Sequence, residues 1–121
     1  FRRVILIFGS TNGHSARGMM TEVANMSPTV VAVRSRHPRS ASCDTIVSAA
    51  RAQGLTIALE SDDVGLATVR AIEMAGEDDL VLGTGSLFVA AEVIEVVRGI
   101  SPELYPDIKG PTRVDGVVRR P

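Results

Sequence analysis

The sequence predicts an α/β domain in which a mainly parallel sheet of at least four strands lies between layers of helices on both faces. Short apolar runs alternate with segments of helical periodicity along residues 4–98. Glycine, proline or a helix-capping side chain stands at most of the junctions between them. This βαβαβαβα order is typical of parallel strands joined by right-handed helical crossovers.

Four segments have the composition of strands, namely residues 4–8, 29–33, 55–59 and 80–82. The first is a continuous apolar run that ends at Gly9, as expected for a strand covered on both faces. The third is half polar.

Four helices are predicted in the intervening segments and after the last strand. Ser15, Ser42 and Ser86 are suitable N-caps, and Asp62 is expected to start the third helix. The apolar faces are expected to consist of Ala16, Met19, Met20 and Val23; Cys43, Ile46, Val47 and Ala50; Val64, Ala67, Ala71, Ile72 and Ala75; and Leu87, Ala90, Ala91, Ile94 and Val97.

The composition excludes several classes of function. A formal net charge of −1 and the absence of Trp argue against a nucleic-acid partner, and no apolar run approaches the ~20 residues that span a membrane. Cys43 is the one cysteine, which excludes an intrachain disulfide and fits a reducing cytoplasm. Its place on an apolar helix face indicates core packing. Two histidines and one cysteine without ligand-like spacing predict no metal site.

The chain begins at Phe1 directly before an apolar strand and without a methionine. We therefore expect a domain over residues 1–100 that is truncated at its N-terminus and belongs to a longer polypeptide. Residues 101–121 are rich in proline, glycine and charge and are predicted to be a tail. Val114, Val117 and Val118 in that tail are candidates for a short edge strand.

Three loops follow strands and are therefore expected at the same edge of the sheet, where ligands of α/β folds bind. The most informative is Gly83-Thr84-Gly85-Ser86, a glycine turn that leads into a helix. Its free N–H groups and the positive end of the helix dipole suit a carboxylate or a phosphate. Such turns also occur in α/β folds that bind nothing there, and spacing leaves both interpretations open.

The other two loops carry His14 and the group Arg34, Arg36, His37 and Arg39. Arginine binds carboxylate and phosphate through paired hydrogen bonds, and His14 lies near a helix start where it can donate one. Ordinary solvated loops have the same composition, so both interpretations stay open. Neither loop matches a dinucleotide fingerprint or a P-loop, and no nucleophile–base pair is evident.

Three motifs stand in order along the chain. They are the strand at residues 4–9 with Gly18-Met19, the loop Ser35-Arg36-His37-Pro38-Arg39-Ser40-Ala41, and the run Leu82-Gly83-Thr84-Gly85-Ser86-Leu87-Phe88-Val89-Ala90-Ala91-Glu92-Val93. Together they resemble motifs of the C-terminal domain of folylpolyglutamate synthase, including the bifunctional dihydrofolate synthase form. The resemblance covers about residues 4–98.

The resemblance implies a Rossmann-like domain of the Mur ligase superfamily, whose members are ATP-dependent amide ligases. These enzymes phosphorylate a carboxylate of folate, and the amine of L-glutamate then attacks the acyl phosphate. In the family, ATP and Mg²⁺ are bound mainly by the N-terminal and central domains of the same polypeptide. This chain alone is therefore expected to bind no cofactor, to contain no catalytic residue and to be inactive.

By the same resemblance, the domain is expected to contribute to the glutamate and nucleotide site when the domains close. Ser86, Gly85, Arg39 and His14 are expected to bind the glutamate substrate, whereas the residues that contact the nucleotide are not assigned. Two departures stand out. The family's Asp-Lys-Asp aligns with Gly13-His14-Ser15, so a mostly neutral imidazole replaces a charged lysine. The family's Asp-Gly-Ala-His-Asn segment would precede Phe1. The alternatives are the C-terminal domain of a peptidoglycan Mur ligase and a non-catalytic α/β binding module.

Overall fold

The computed structural model describes residues 1–12 and 15–99, in which strands and helices alternate. The strands are β1 (Arg3–Phe8), β2 (Thr29–Val33), β3 (Thr56–Ser61) and β4 (Asp79–Thr84). The helices are α1 (Ala16–Val23), α2 (Cys43–Ala52), α3 (Val64–Met74) and α4 (Leu87–Arg98), and the 3₁₀ turn Ala24–Met26 follows α1. The tail at 101–121, with its candidate strand at Val114, Val117 and Val118, lies outside the described residues.

The four strands form one parallel sheet in the order β3-β2-β1-β4. The predicted α/β class with a parallel sheet is thereby confirmed. In β1, Leu6 aligns with Val30 of β2 on one side and with Leu82 of β4 on the other. The interior strands β1 and β2 are buried almost throughout, whereas the edge strand β3 alternates between exposed and half-buried residues.

Helices cover both faces of the sheet, as predicted, because successive strand residues point to opposite sides. On one face Leu6, Phe8, Val30 and Ala32 pack with α1 and α2. On the other face Ile5, Ile7, Val31 and Val33 pack with α3 and α4. Full burial of one such aliphatic side chain contributes roughly 1.5–3 kcal/mol, so these two layers supply most of the favourable energy of folding.

Side-chain caps start the helices. The hydroxyls of Ser15, Ser42 and Ser86 accept the N–H groups of Gly18, Thr45 and Val89 at 2.9, 3.4 and 3.1 Å, which confirms the three predicted serine caps. The prediction for the third helix is wrong by one residue. Its cap is Asp63, whose Oδ1 accepts the N–H of Leu66 at 3.0 Å.

The predicted inward faces of α1 and α2 are confirmed, but that of α4 is wrong. Leu87, Ile94 and Val97 are 86%, 47% and 59% exposed, whereas Val89 is buried in the second core layer. Glu92, a charged residue, is only 3% exposed. The helix is therefore rotated away from the orientation that its apolar stripe predicts, because the Glu92 carboxylate binds the loop between β2 and α2.

The third helix shows a smaller correction of the same kind. Val64, Ala67 and Ala71 are buried as predicted, but Ile72 is 50% exposed. The buried position next to this face belongs instead to Thr68, whose hydroxyl donates to the carbonyl of Val64 at 2.8 Å. This hydrogen bond satisfies the hydroxyl within its own helix, so burial of Thr68 leaves no polar group unpaired.

An ionic cluster joins the amino ends of β1 and β4. The Asp79 carboxylate accepts the Gly76 N–H at 2.8 Å and the Arg3 guanidinium at 2.8 Å, and Arg3 also donates to the carbonyl of Met74. The hydrogen bond from Gly76, followed by that from Arg3, holds the pKa of the Asp79 carboxyl below its usual value. This cluster explains why β4 begins at Asp79, before its apolar run.

At the carboxyl end of the sheet, β1 and the β4–α4 turn approach each other without intervening side chains. Gly85 has φ +108°, a conformation that L side chains rarely adopt, and a Cβ built on it would overlap the carbonyl oxygen of Gly9. A Cβ on Gly9 would in turn lie 2.6 Å from the carbonyl oxygen of Val33. The two glycines therefore let the start of α4 sit directly on β1.

Among the described helices, none combines the length and the apolar character required to cross a lipid bilayer.

We expect Gly85→Ala to lower the free energy of unfolding by roughly 2–6 kcal/mol. A strained backbone conformation costs about 1–3 kcal/mol and overpacking a further 1–3 kcal/mol. Urea unfolding of the 121-residue chain measures the change. Gly54→Ala is the matched control, because Gly54 also has positive φ but nothing lies within 4 Å of its added Cβ. Equal losses in the two variants would contradict the close approach to Gly9.

Candidate functional site

The loops that follow β1 and β2 are joined by main-chain hydrogen bonds. Thr11 pairs with Ser40 in an isolated antiparallel bridge. Beside it, the Asn12 N–H donates to the carbonyl of Arg39 at 2.6 Å. Because backbone groups make these contacts, the two loops form one continuous edge whatever side chains they carry.

The loop between β2 and α2 is also held from within. The hydroxyls of Ser35 and Ser40, both buried, hydrogen-bond to each other. The His37 N–H donates to Ser35 Oγ at 3.3 Å, and the Arg39 N–H donates to His37 Nδ1 at 3.1 Å. These hydrogen bonds fix the course of the loop from Ser35 to Ser40.

The same loop rests against the first turns of α4. The Arg36 N–H donates to Glu92 Oε2 at 2.9 Å, and Arg36 Nη2 donates to Glu95 Oε1 at 2.8 Å. The His37 ring stacks on Phe88 with centroids 4.0 Å apart and planes inclined by 25°. Main-chain, ionic and ring contacts thus place this loop beside the start of α4.

The glycine turn is tightly packed by its own chain. The close approach to bare backbone that the glycine pattern predicted is present, but its partner is Gly9. Ser86 Oγ is occupied as the cap of α4, where it accepts the Val89 N–H. What the turn offers to a ligand is consequently the start of a 12-residue helix, whose dipole favours an anion.

Three of the four predicted site residues lie at this edge. Arg39 follows β2 on an exposed loop whose main chain is bound on both sides, and Gly85 and Ser86 follow β4. Among residues 1–12 and 15–99, the Arg39 guanidinium has no ion-pair partner. His14, with Gly13, lies outside the described residues, so its role stays a prediction.

A family model described as Mur ligase, glutamate ligase domain, matches residues 1–87. The match runs from β1 to the first residue of α4 and includes all three loops of this edge. The chain belongs to this Mur ligase domain family. Its context is therefore that of an ATP-dependent amide ligase, in which such a domain normally shares one polypeptide with catalytic domains. Comparison with curated proteins and with solved structures finds no match.

Two residues of this Mur ligase domain that shape the edge were not assigned a role from sequence. Phe88 supplies the surface on which His37 stacks, and Glu92 holds the main chain of the loop. One signal was available for Glu92, because it is a charge one turn after Phe88 in a helix that is otherwise mostly apolar. That signal does not identify the partner of Glu92, because Arg36 lies 56 residues away in sequence.

A concave region of the Mur ligase domain lies at the ends of β2 and β3, with a volume of about 340 Å³. It is lined by Arg34, Ser42, Cys43, Asp44, Glu60, Ser61 and Asp62. Arg34 therefore belongs to this corner and not to the edge formed with α4. Within residues 1–12 and 15–99, no three His, Cys, Asp or Glu side chains are grouped to hold a metal ion.

Cys43 packs against the first core layer and is half-buried, in line with the predicted structural role. Its sulfur lies 3.4 Å from the carbonyl oxygen of Ser61 and 3.6 Å from Asp62 Oδ1. Burial, reinforced by the neighbouring carboxylates, raises the pKa of the thiol to about 11. At neutral pH the thiol is therefore protonated and unsuited to act as a nucleophile.

We expect iodoacetamide to alkylate Cys43 at pH 8 about a hundredfold more slowly than an unperturbed thiol, since the reactive thiolate is correspondingly scarce. The rate should rise about tenfold per pH unit until the pH approaches 11. Mass spectrometry of the folded chain measures it, with the urea-unfolded chain as control. A rate that levels off between pH 8 and 9 would show that the folded protein does not protect the thiol.

Proposed function

We propose that this domain binds the incoming L-glutamate in a ligase that adds glutamate to folates, a folylpolyglutamate synthase with or without dihydrofolate synthase activity. The observation that carries the proposal is the junction between the β2–α2 loop and α4. His37 stacks there on Phe88 at 4.0 Å, which brings the loop with Arg39 to the helix start at Ser86. Two of the three ordered motifs that resemble this family lie on these elements, and the first lies on the adjacent β1 and on α1.

Each group at this edge has a defined task in the proposal. Arg39 binds a glutamate carboxylate through two parallel hydrogen bonds. The first turn of α4 adds its dipole and its N–H groups, and Ser86 keeps that turn in place by capping it. His37 holds the loop against α4 by stacking on Phe88. These interactions hold glutamate so that its α-amine reaches the acyl phosphate of folate, and phosphate leaves as the amide bond forms.

The proposal places ATP and Mg²⁺ mainly outside this domain. No group of three potential ligands is present among the described residues, and the full sequence lacks the Gly-Lys-Ser/Thr of a P-loop. In the proposal, the N-terminal and central domains of the same polypeptide bind both and carry out phosphorylation. This domain contributes one wall of the site when the domains close, and alone it is inactive.

The family match supports amide ligation on a peptidoglycan precursor equally well, so this is the second candidate function. The two candidates share the amino-acid side of the reaction and differ in the acyl substrate. We favour folate because the Thr84-Gly85-Ser86-Leu87-Phe88 run and the His37-Pro38-Arg39 loop both resemble the folate enzymes.

The native polypeptide that carries this domain should release phosphate from ATP when supplied with L-glutamate and either dihydropteroate or tetrahydrofolate. A coupled phosphate assay with each acyl substrate, and with a UDP-linked muropeptide in its place, separates the two candidates. Turnover of the muropeptide alone would exclude the folate assignment. The 121-residue chain by itself is the control, and ligation by it would show that the proposed division between domains is wrong.

In the same polypeptide, we expect Arg39→Ala to raise the glutamate KM by roughly 10- to 100-fold, since a charge-assisted hydrogen bond contributes about 1.5–3 kcal/mol. Ser86→Ala should raise it less, because the serine acts by capping α4. Initial rates at varied glutamate concentration measure both.

Two control variants separate binding from stability. Arg70→Ala removes an exposed arginine from α3, and Asp63→Ala removes the cap of α3, a loss of about 1 kcal/mol comparable with that in Ser86→Ala. Both controls should keep the glutamate KM within about twofold of wild type. If Arg39→Ala behaves like Arg70→Ala, Arg39 does not bind the substrate.

A further inference from the structure

Helix α4 buries the residue that its sequence pattern places outside. Glu92 is 3% exposed, whereas Leu87 and Val97 on the same helix are 86% and 59% exposed. Withdrawal of a carboxylate from water is unfavourable unless it is paired and hydrogen-bonded. Helix α4 is thus oriented so that the Glu92 carboxylate keeps its contacts, while the apolar side chains of Leu87 and Val97 stay exposed.

The partner of Glu92 is a main-chain group of a distant loop. Its Oε2 accepts the Arg36 N–H at 2.9 Å and lies 3.8 Å from Arg36 Nε. Arg36 reaches Glu95, on the same face of α4, with its guanidinium. A bond to the main chain constrains the path of the loop in a way that a pair between two flexible side chains does not.

The segment held in this way carries the residues of the proposed site. His37 follows Arg36 directly and stacks on Phe88, one helical turn before Glu92. The Arg39 N–H then donates to His37 Nδ1. A continuous series of contacts therefore leads from the Glu92 carboxylate through Arg36 and His37 to the main chain of Arg39.

We propose that Glu92 is a positioning residue, which fixes the 34–40 loop on α4 so that His37 and Arg39 stay beside the helix start. The identity of the ligand rests on the function proposed above, but the fixing of the loop does not. The positioning role is separable from fold stability because Glu92→Met leaves no buried charge unpaired, and such an unpaired charge is what makes loss of one partner of a buried pair costly. Arg36 is exposed and keeps its pair with Glu95.

The test compares Glu92→Met with Glu92→Gln in the native polypeptide. Methionine keeps the length of the side chain but cannot accept the Arg36 N–H, whereas the glutamine amide oxygen can. Glu95→Gln is the matched control, since it weakens the pair with the Arg36 guanidinium and leaves the bond from the Arg36 N–H to Glu92 in place. Should Glu92→Met not fold, Glu92→Asp replaces it, because aspartate keeps the charge but withdraws the carboxylate by one methylene.

Hydrogen–deuterium exchange of a peptide covering residues 34–40 is the first readout. We expect Glu92→Met to speed this exchange about tenfold or more, as for loss of a hydrogen bond to a charged group, with exchange in β1 and β2 unchanged. Glu92→Gln and Glu95→Gln should stay within about threefold of wild type. Unchanged exchange in Glu92→Met, or faster exchange that spreads equally to the core strands, would overturn the proposal.

The glutamate KM is the second readout. We expect it to rise about tenfold in Glu92→Met with kcat within about twofold, and to recover in Glu92→Gln, because only the placement of the loop is altered. Faster loop exchange with an unchanged KM would support Glu92 as the residue that fixes the loop and would contradict the glutamate site proposed at this edge.

Discussion

The contact on which the edge of this domain depends is the approach of the β4–α4 turn to the end of β1. Gly85 adopts φ +108° and leaves no space for a side chain against the Gly9 carbonyl. This contact fixes where α4 begins relative to the sheet. From that starting point, the contacts of Glu92 with the loop after β2 set which face of α4 is buried.

The loop after β2 is joined to its two neighbours, the loop after β1 and the start of α4, by two different kinds of contact. The loops after β1 and β2 share backbone hydrogen bonds, such as that between Asn12 and Arg39. The loop after β2 and helix α4 are joined through Arg36, His37 and Glu92. Backbone pairing tolerates substitution, whereas the second junction depends on particular side chains. Changes of residue at α4 can accordingly reposition the site without altering the sheet.

Local chemistry explains why much of the fold was predictable from sequence. Buried strands such as β1 are continuous apolar runs, and serine caps such as Ser42 act within three residues of their position. The one wrong prediction of a helix cap, Asp62 in place of Asp63, also has a local cause. Asp62 and Asp63 are chemically identical candidates, and the choice of Asp63 goes with a hydrogen bond from its N–H to Ser61 Oγ that spacing does not reveal.

The orientation of α4 was not predictable, because its decisive partner is remote. Periodicity placed Leu87, Ile94 and Val97 inward, but tertiary contacts of Glu92 with a loop 56 residues earlier override that pattern. The same reason limits prediction of the site. Sequence places Arg39 and Ser86 after their strands, but the ring contact between His37 and Phe88 that joins those loops appears only in three dimensions.

Charged side chains are distributed unevenly along the edge formed by the carboxyl ends of the strands, and their distribution affects which ligands can bind there. The corner near β3 carries Asp44, Glu60 and Asp62 against the single arginine Arg34. The side near α4 carries Arg39 and a helix N-terminus, while Arg36 is paired with two glutamates, so the charges of these four side chains sum to zero. A carboxylate that approaches the edge is therefore repelled more strongly at the first corner than at the second. This difference agrees with the anion site proposed at the start of α4, although the chain as a whole is nearly neutral.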